Sequence, residues 1–282
     1  MSSAEAEPAR VWTDHYFTTS DGTKLHYVEM GHGTPVILIH GAGGSAVGNW
    51  FSNGIAPRLA ATNRVIGIDM RAHGLSENGP PEGRAKMAVD VIEFMDAQGI
   101  GKAHIAGYSM GGGVTLSLLV DHANRFITAG FHGSGVGETA EFKDSIPQDK
   151  YALDPEAAQA RAAYQAAQAA RGQEIGNNAA ARTAPATPED EARQRARSED
   201  MIKRREALLA RLDLAKIKFP VMAINGEFDA PMAKTHRLWR ELDDFTNLVL
   251  PGKGHLSAVM RGFIPQAYID GMAAFIARNN PA

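Results

Sequence analysis

The amino-acid sequence predicts an α/β protein in which a mostly parallel β-sheet carries helices on both of its faces. Two observations predict this fold class. Short, continuous apolar runs, which suit strands that are buried on both faces, recur along the chain, and segments with a helical pattern separate them. Strands that alternate with helices form βαβ units, and successive βαβ units build a parallel sheet.

The predicted elements follow one another in a regular order. Residues 14–19 and 23–30 flank a Ser20-Asp21-Gly22 turn, and this pattern is typical of a β-hairpin. Buried strands are predicted at residues 35–39, 65–69, 102–107, 126–131, 220–225 and 246–250. Helices are predicted at residues 86–98, 112–121, 233–242 and 265–278. These elements assign residues 1–134 and 214–282 to the two parts of one α/β core.

The stretch from residue 135 to residue 213 interrupts this alternation. Residues 151–200 contain no Val, Phe, Trp or Met and are dominated by Ala, Gln, Arg and Glu. Asp154-Pro155 and Thr187-Pro188 are typical helix starts, in which a capping residue precedes a proline. We expect at least two helices that form a cap or lid, because ligands bind at the sheet edge where such an insertion lies. An Ala-rich surface appendage without a role is the alternative.

The composition agrees with a globular protein and excludes several classes of function. The 282 residues are 44% hydrophobic and 22% charged, with a net charge of −3, so we expect no nucleic-acid partner. There is no cysteine, which excludes disulfides, zinc–thiolate sites and a cysteine nucleophile. Glycine is enriched, with 29 residues, against a usual share of about 7%. The positions of these glycines decide the functional interpretation.

The segment Gly107-Tyr108-Ser109-Met110-Gly111 matches the G-x-S-x-G motif and lies between a predicted strand and a predicted helix. A sharp strand-to-helix turn leaves the serine at its apex, and the flanking glycines relieve the crowding that results. The hydroxyl group then stands at a helix N-terminus, where free N–H groups and the helix dipole favour a developing oxyanion. The motif therefore predicts Ser109 as a nucleophile.

A serine hydroxyl needs a base, and the loops after two later strands supply one together with a carboxylate. His255 follows the predicted strand at 246–250, and Asp229 follows the predicted strand at 220–225. The carboxyl ends of parallel strands meet at one edge of the sheet, so the three side chains can converge. The chain order Ser, Asp, His also fits this arrangement. We predict a catalytic triad of Ser109, Asp229 and His255, in which the aspartate orients the imidazole.

The glycine-rich segment 40–44, His-Gly-Ala-Gly-Gly, follows the first buried strand. Its backbone can approach a substrate closely and supply a second oxyanion donor. We expect the backbone N–H groups of Ala42 and Met110 to form the oxyanion hole and His40 to brace the loop by hydrogen bonding. The segment lacks the G-x-x-x-x-G-K-[ST] pattern of a phosphate-binding loop, which disfavours a nucleotide site.

Other residues add less specific predictions. Trp50 and Tyr108 are candidates for the substrate pocket, and core packing is an equal alternative for Trp50. The histidines outside the triad show no metal-binding spacing, and no cofactor motif occurs, so neither a metal nor a cofactor is expected. The N-terminus lacks a signal-peptide pattern, and no apolar run could span a bilayer. We therefore expect a cytoplasmic protein without a membrane partner, and no pattern specifies its oligomeric state.

The sequence resembles the α/β-hydrolase family over most of residues 11–134 and 214–282. The resemblance rests on His40-Gly41, the segment from Asp69 to Ser76, the turn at Ser109, the loop with Asp229, and Gly254-His255. The segment 69–76 has alanine after its arginine, where the family usually has a small residue. The resemblance implies an eight-stranded sheet whose first strands are antiparallel, with an inserted cap.

The leading hypothesis is a serine hydrolase that cleaves carboxylic esters, with a small-molecule ester as its substrate. The serine at position 109 argues against the haloalkane dehalogenases and epoxide hydrolases of the family, which use an aspartate there. Within the same fold, the alternatives are hydrolysis of a carbon–carbon bond in a ring-cleavage product and perhydrolysis, which forms peracids. A receptor that binds a ligand without turnover is an alternative of a different class.

Overall fold

The structure is a computed structural model, and it describes residues 11–80, 83–149, 154–174 and 188–282. Its strands are β1 (Thr13–Thr18), β2 (Lys24–Met30), β3 (Thr34–Ile39), β4 (Asn63–Ile68), β5 (Ala103–Tyr108), β6 (Phe126–His132), β7 (Val221–Gly226) and β8 (Phe245–Leu250). They form one sheet in the order β1-β2-β4-β3-β5-β6-β7-β8. β1 and β2 pair in antiparallel fashion, and β3 to β8 are parallel. The predicted fold class and the eight-stranded sheet are confirmed.

The helices flank this sheet. In the described part of the chain, the α-helices are α1 (Ile55–Leu59), α2 (Met87–Ala97), α3 (Met110–His122), α4 (Ala157–Glu174), α5 (Pro188–Arg211), α6 (Pro231–Glu241) and α7 (Gln266–Arg278). The predicted core helices are all present. The sequence did not predict α1 or the π-helical turn Val47–Phe51 before it, because each has only five residues and shows too little periodicity.

The core lies on both sides of the sheet, which explains the continuous apolar runs. In β3, Ile37 and Ile39 belong to the apolar cluster on one face, and Val36 and Leu38 belong to the cluster on the other. All four side chains are completely buried. Because successive residues of a strand point to opposite faces, a strand covered on both faces needs apolar residues at every position. The first cluster contains residues of α2 and α3, and the second contains residues of α1 and α7.

The segment after β4 is held by the buried carboxylate of Asp69. This carboxylate accepts hydrogen bonds from His26 Nδ1 at 2.8 Å and from the backbone N–H groups of Ala46 at 2.7 Å and Leu75 at 2.9 Å. Ala72 in this segment has a φ of 61°. That left-handed conformation disfavours large or β-branched residues, which explains the small residue at this position.

Helices α4 and α5 lie between β6 and β7 in the chain, where the sequence predicted an insertion. Asp154 precedes α4, and its Oδ1 accepts a hydrogen bond from the backbone N–H of Glu156 at 2.9 Å, as a helix-capping residue does. Helix α5 begins at Pro188. Thr187, the capping residue predicted for that helix, lies outside the described residues.

The C-terminal part of α5 packs on the α/β core. Leu208 and Leu209 contact the apolar cluster that contains α3. The division of the chain at residues 135–213 into a separate helical cap stays a prediction. Within the described ranges, no helix combines the length and the apolar character that crossing a bilayer requires.

Candidate active site

Ser109 lies in the turn between β5 and α3 and has an unusual backbone conformation. Its φ is 53° and its ψ is −107°, values that a residue with a side chain adopts only at an energetic cost. The surrounding structure maintains this conformation, since the Ser109 N–H donates to the His132 carbonyl oxygen at 2.8 Å. The serine hydroxyl therefore stands at the N-terminus of α3, as the motif predicted.

The glycines around Ser109 are required because backbone segments approach one another closely. A methyl group on Gly107 would lie 2.0 Å from the Gly111 carbonyl oxygen, and one on Gly111 would lie 2.3 Å from the Ile39 carbonyl oxygen. By contrast, a methyl group on Gly113 would meet nothing within 4 Å. The two motif glycines thus allow β5, α3 and the end of β3 to meet at the nucleophile.

The structure brings Ser109, His255 and Asp229 together. His255 Nε2 lies 3.0 Å from Ser109 Oγ, and His255 Nδ1 lies 2.8 Å from Asp229 Oδ2. The histidine side chain is 41% exposed and the aspartate side chain 13% exposed. The imidazole is therefore accessible from solvent, whereas the carboxylate is mostly shielded from water. This is the geometry that a serine nucleophile with a histidine base requires.

Backbone contacts hold the loops of Asp229 and His255 against each other. The Phe228 N–H donates to the Lys253 carbonyl oxygen at 2.9 Å, and the Gly252 N–H donates to Glu227 Oε2 at 2.9 Å. Because β7 and β8 are neighbouring parallel strands, these loops leave the sheet side by side. The two loops thus form one unit that sets the position of the imidazole.

Lys234, on helix α6, pairs with the aspartate of this triad. Its Nζ lies 2.6 Å from Asp229 Oδ1, the oxygen that His255 does not use, and 3.3 Å from the Gly133 carbonyl oxygen. Burial lowers the pKa of the Lys234 ammonium group, and the carboxylates of Asp229 and Asp149 oppose this shift. The sequence analysis missed this residue, because a lysine on an amphipathic helix carries no signal of its own.

The loop at Gly41–Gly44 passes directly beside the nucleophile. A methyl group on Gly41 would lie 3.4 Å from the Ser109 Cβ. His40 Nδ1 donates to the Gly41 carbonyl oxygen at 2.8 Å, and His40 Nε2 accepts from the Met70 N–H at 3.0 Å. The prediction that His40 braces this loop is confirmed. Asn49, which the sequence analysis missed, accepts a hydrogen bond from the Gly41 N–H at 2.7 Å.

Met110 follows Ser109 as the first residue of α3, and Ala42 follows Gly41 in the loop that passes the Ser109 Cβ. Among the hydrogen bonds within the described part of the chain, neither residue's backbone N–H group donates to a protein acceptor. Ala42 is exposed and Met110 is partly exposed. Free backbone N–H groups beside an attacking hydroxyl can donate to an oxygen that becomes negative there, and the role of Ala42 and Met110 as such donors stays a prediction.

The structure buries Trp50 and Tyr108, the two candidates for the substrate pocket, and for Trp50 this is the core packing that was the alternative. Their exposed fractions are 0% and 2%, and both belong to the core cluster that contains α1 and α7. Tyr108 donates its hydroxyl proton to the His255 carbonyl oxygen, and burial raises the pKa of this phenol, which keeps the donor protonated. Both residues therefore pack in the core next to the site.

A family model described as alpha/beta hydrolase fold matches residues 34–259 of the chain. The chain is 41% identical over 100 residues to the dihydrolipoyllysine-residue acetyltransferase component of an acetoin cleaving system from Pseudomonas putida, a match covering 34% of this chain and 26% of the relative. It is 38% identical over 113 residues to the 2-hydroxy-6-oxo-6-(2'-aminophenyl)hexa-2,4-dienoic acid hydrolase of Metapseudomonas resinovorans, with 38% of each protein covered. It is also 38% identical over 86 residues to the esterase YbfF of Escherichia coli, with 30% of this chain and 32% of the relative covered.

These matches span less than half the length of each of these curated relatives. Among solved structures, a serine hydrolase involved in carbazole degradation superposes on the chain with a TM-score of 0.67. The superposition covers 95% of this chain and 99% of the other, at 22% sequence identity. At that identity the similarity supports the fold, and function has to be argued from the site itself.

Proposed function

The chain belongs to the α/β hydrolase fold family, and we propose that it is a serine hydrolase that cleaves carboxylic esters through an acyl-enzyme intermediate. The observation that carries this proposal is the line of hydrogen bonds from Asp229 through His255 to Ser109, with distances of 2.8 Å and 3.0 Å. The strained backbone of Ser109 and the free N–H groups beside it support the same chemistry.

In the acylation step, Ser109 Oγ attacks the ester carbonyl carbon while His255 Nε2 accepts the hydroxyl proton. Asp229 stabilises the imidazolium that forms, and the N–H groups of Ala42 and Met110 donate to the carbonyl oxygen as it becomes an oxyanion. His255 then gives its proton to the leaving alcohol oxygen. The carbon–oxygen bond of the ester breaks, and the acyl group stays on Ser109.

In the deacylation step, a water molecule occupies the place of the alcohol and gives a proton to His255 as it attacks the acyl carbon. The second tetrahedral intermediate collapses, and the Ser109 oxygen leaves and takes the proton back from His255. One ester and one water thus become one carboxylic acid and one alcohol, and the enzyme is unchanged.

A carbon–carbon bond hydrolase is the second candidate, since one relative is named as a hydrolase of a 2-hydroxy-6-oxo-dienoic acid. The esterase YbfF, a relative of equal identity, supports the ester proposal. The two reactions differ in the leaving group, which is an alcohol oxygen in one and a carbon in the other. A carbon leaving group needs a proton delivered to carbon, whereas an alcohol can take its proton directly from His255.

Steady turnover of short p-nitrophenyl esters tests the proposal. We expect kcat on the order of 10 s⁻¹, the usual range for enzymes, and an acyl adduct on the Ser109 peptide when the reaction is quenched during turnover. The comparison is kcat/KM for a 2-hydroxy-6-oxo-dienoate, measured with the same enzyme. A preference for the dienoate of more than about 200-fold would replace the ester proposal, because that ratio exceeds what a single apolar contact supplies.

Two further outcomes would also overturn the ester proposal. Peracid formation from a carboxylic acid and hydrogen peroxide at a rate above ester hydrolysis would make the protein a perhydrolase. Stoichiometric binding of small ligands without any turnover would make it a receptor on a hydrolase scaffold.

Removing the charge of Lys234 is expected to change the pH dependence of ester hydrolysis. In Lys234→Met, the acid limb of the kcat/KM profile should move to higher pH by about 0.5–1 unit. The reason is that a cation 2.6 Å from Asp229 Oδ1 opposes protonation of His255, so its loss favours the protonated, inactive imidazole. The stability of the variant is checked separately by thermal unfolding.

Lys234→Arg is the matched control, because it keeps the positive charge beside Asp229 and Asp149. Its acid limb should stay within about 0.2 units of the wild-type position, well below the shift expected for the methionine variant. A methionine variant whose profile superposes on that of the wild type would show that the ion pair does not act on the base.

A further inference from the structure

Helix α4 and the residue Asp154 before it contact two loops of the site, the loop with His255 and the loop at Gly41–Gly44. Near its N-terminus, Asp154 Oδ2 accepts a hydrogen bond from Ser257 Oγ at 2.7 Å, two residues beyond His255. About three and four turns further along, Tyr164 and Gln168 contact the loop at Gly41–Gly44. One helix thus spans the site from the base to the candidate oxyanion donor.

The contacts with the oxyanion loop are hydrogen bonds to backbone carbonyl oxygens. The Tyr164 hydroxyl donates to the Ala42 carbonyl oxygen at 2.5 Å, and Gln168 Nε2 donates to the Gly43 carbonyl oxygen at 2.8 Å. Gln168 Nε2 also lies 3.0 Å from the Tyr164 hydroxyl oxygen, which holds the phenol in place. A methyl group on Gly43 would lie 2.3 Å from Gln168 Nε2 and 2.5 Å from the Tyr164 oxygen. The glycine therefore lets the helix approach the loop.

Together with a hydrogen bond from His40, the Tyr164 contact holds the two peptide planes on either side of the Ala42 Cα. The plane that carries the Ala42 N–H is held from the core, since His40 Nδ1 donates to the Gly41 carbonyl oxygen at 2.8 Å. The next plane, which carries the Ala42 carbonyl oxygen, is held by Tyr164. A loop with three glycines in four residues has many accessible conformations. Holding both planes leaves Ala42 one orientation of its N–H group.

The composition of α4 fits this role. The face of the helix toward the core has Ala160, which is fully buried, and the partly buried Tyr164 and Gln168. These residues are four positions apart and lie on one side of the helix. The helix thus approaches the core through one small residue and two hydrogen-bonding side chains, so it needs no large apolar residues there. This accounts for the absence of large apolar residues on this face of α4.

We propose that Tyr164 is a positioning residue that orients the Ala42 N–H group, so that helix α4 completes the oxyanion hole. This inference rests on the proposed function, since it takes Ala42 as an oxyanion donor. Gln168 supports Tyr164 and holds the neighbouring carbonyl group. Neither side chain enters the reaction, and both act through the backbone of the loop.

The test compares Tyr164→Phe with the wild type in the rate at which a fluorophosphonate labels Ser109. In that reaction the serine oxygen replaces fluoride on phosphorus, its proton passes to His255, and the phosphoryl oxygen takes the place of the oxyanion. Loss of a whole oxyanion donor costs about 10²–10³ in rate, and we expect its misorientation to cost about tenfold. The affinity for a trifluoromethyl ketone, which forms an oxyanion on Ser109, should fall by the same factor.

Two measurements separate positioning from a general loss of structure. The KM for a p-nitrophenyl ester should stay within about twofold while kcat falls, because the ground state does not use the oxyanion contact fully. Gln168→Ala should show the same pattern more weakly. Gln165→Ala, on the exposed side of the same helix, is the matched control and should label at the wild-type rate.

Labelling of Tyr164→Phe at the wild-type rate would overturn the inference while leaving the proposed function intact. Equal losses in Tyr164→Phe and Gln165→Ala would also overturn it, since both would then reflect the stability of the helix. A wild-type protein in which the fluorophosphonate does not label Ser109 would remove the nucleophile, and the proposed function and this inference would fall together.

Discussion

Replacement of Ser109 by alanine is expected to reduce kcat for ester hydrolysis by at least about 10⁴-fold, because the acyl-enzyme route is lost and only binding and the oxyanion donors remain. Loss of the nucleophile in other serine triads costs on the order of 10⁶ in kcat. His255 and Asp229 would remain hydrogen-bonded to each other at 2.8 Å but would have no hydroxyl to activate. The measurement is steady-state turnover of a p-nitrophenyl ester by the purified variant.

Ser134→Ala is the matched control for this prediction. Ser134 follows β6 at the same edge of the sheet, and its buried hydroxyl has no hydrogen-bond partner among the described residues. Its removal should leave kcat within about threefold, since a buried hydroxyl without a partner stabilises nothing. Residual activity above about 1% in Ser109→Ala, under conditions that exclude contaminating enzyme, would mean that another group supplies the nucleophile.

Alanine substitutions at two neighbouring glycines of α3 are expected to have opposite effects on stability. Gly111→Ala places a methyl group 2.3 Å from the Ile39 carbonyl oxygen and 3.0 Å from the His40 carbonyl oxygen. Both are backbone atoms, so the start of α3 has to shift. We expect a loss of about 3 kcal/mol in the free energy of unfolding, the upper part of the range for overpacked sites. Activity should fall as well, because Ser109 moves with the helix.

Gly113→Ala is expected to raise the free energy of unfolding by about 0.5–1 kcal/mol, because alanine is the better helix former and nothing lies within 4 Å of the added methyl group. Urea unfolding of both variants and the wild type measures these changes, with the m-value as a check on two-state behaviour. Similar changes in the two variants would contradict the close approach of α3 to β3 on which the geometry of the site depends.

Different contacts hold the chain segments that form the site. Ser109 is held by a regular strand and helix, whereas His255 and Asp229 lie in loops that are bonded to each other. The Gly41–Gly44 loop is held from the core by His40 and Asn49 and from the other side by α4. If α4 moves away, the Ala42 carbonyl oxygen loses its hydrogen bond from Tyr164. The proposed role of Tyr164 therefore links the insertion to the chemistry.

Local patterns in the sequence predicted the sheet and the three candidate catalytic residues because their causes are themselves local. A strand buried on both faces must be apolar throughout, so β3 and β5 are visible as continuous runs. The turn at Ser109 requires glycine at positions 107 and 111, since any side chain there would overlap with backbone atoms. Asp229 and His255 were found because parallel strands end at the same edge of the sheet.

The sequence did not show that the side chains of Tyr108 and Trp50 are buried, because proximity in the chain does not decide the direction of a side chain. Tyr108 precedes the nucleophile, yet it is the last residue of β5 and points to the same face as Ala106, toward the cluster with α1 and α7. Side chains alternate across a strand, and which face is covered depends on the helices that pack there. Trp50 lies in the π-helical turn Val47–Phe51, and its side chain is buried in the same cluster.

Local patterns were enough to predict the fold class, the order of the strands and helices along the chain, and the candidate nucleophile, base and carboxylate, because each leaves a pattern within a few neighbouring residues. The folded structure was needed to show that Lys234 pairs with Asp229, that Asn49 accepts a hydrogen bond from Gly41, and that Tyr164 donates to Ala42 across 122 residues of chain. Such contacts join side chains on separate elements. Their formation depends on how those elements pack, and the residue types involved are common enough on any surface to carry no signal.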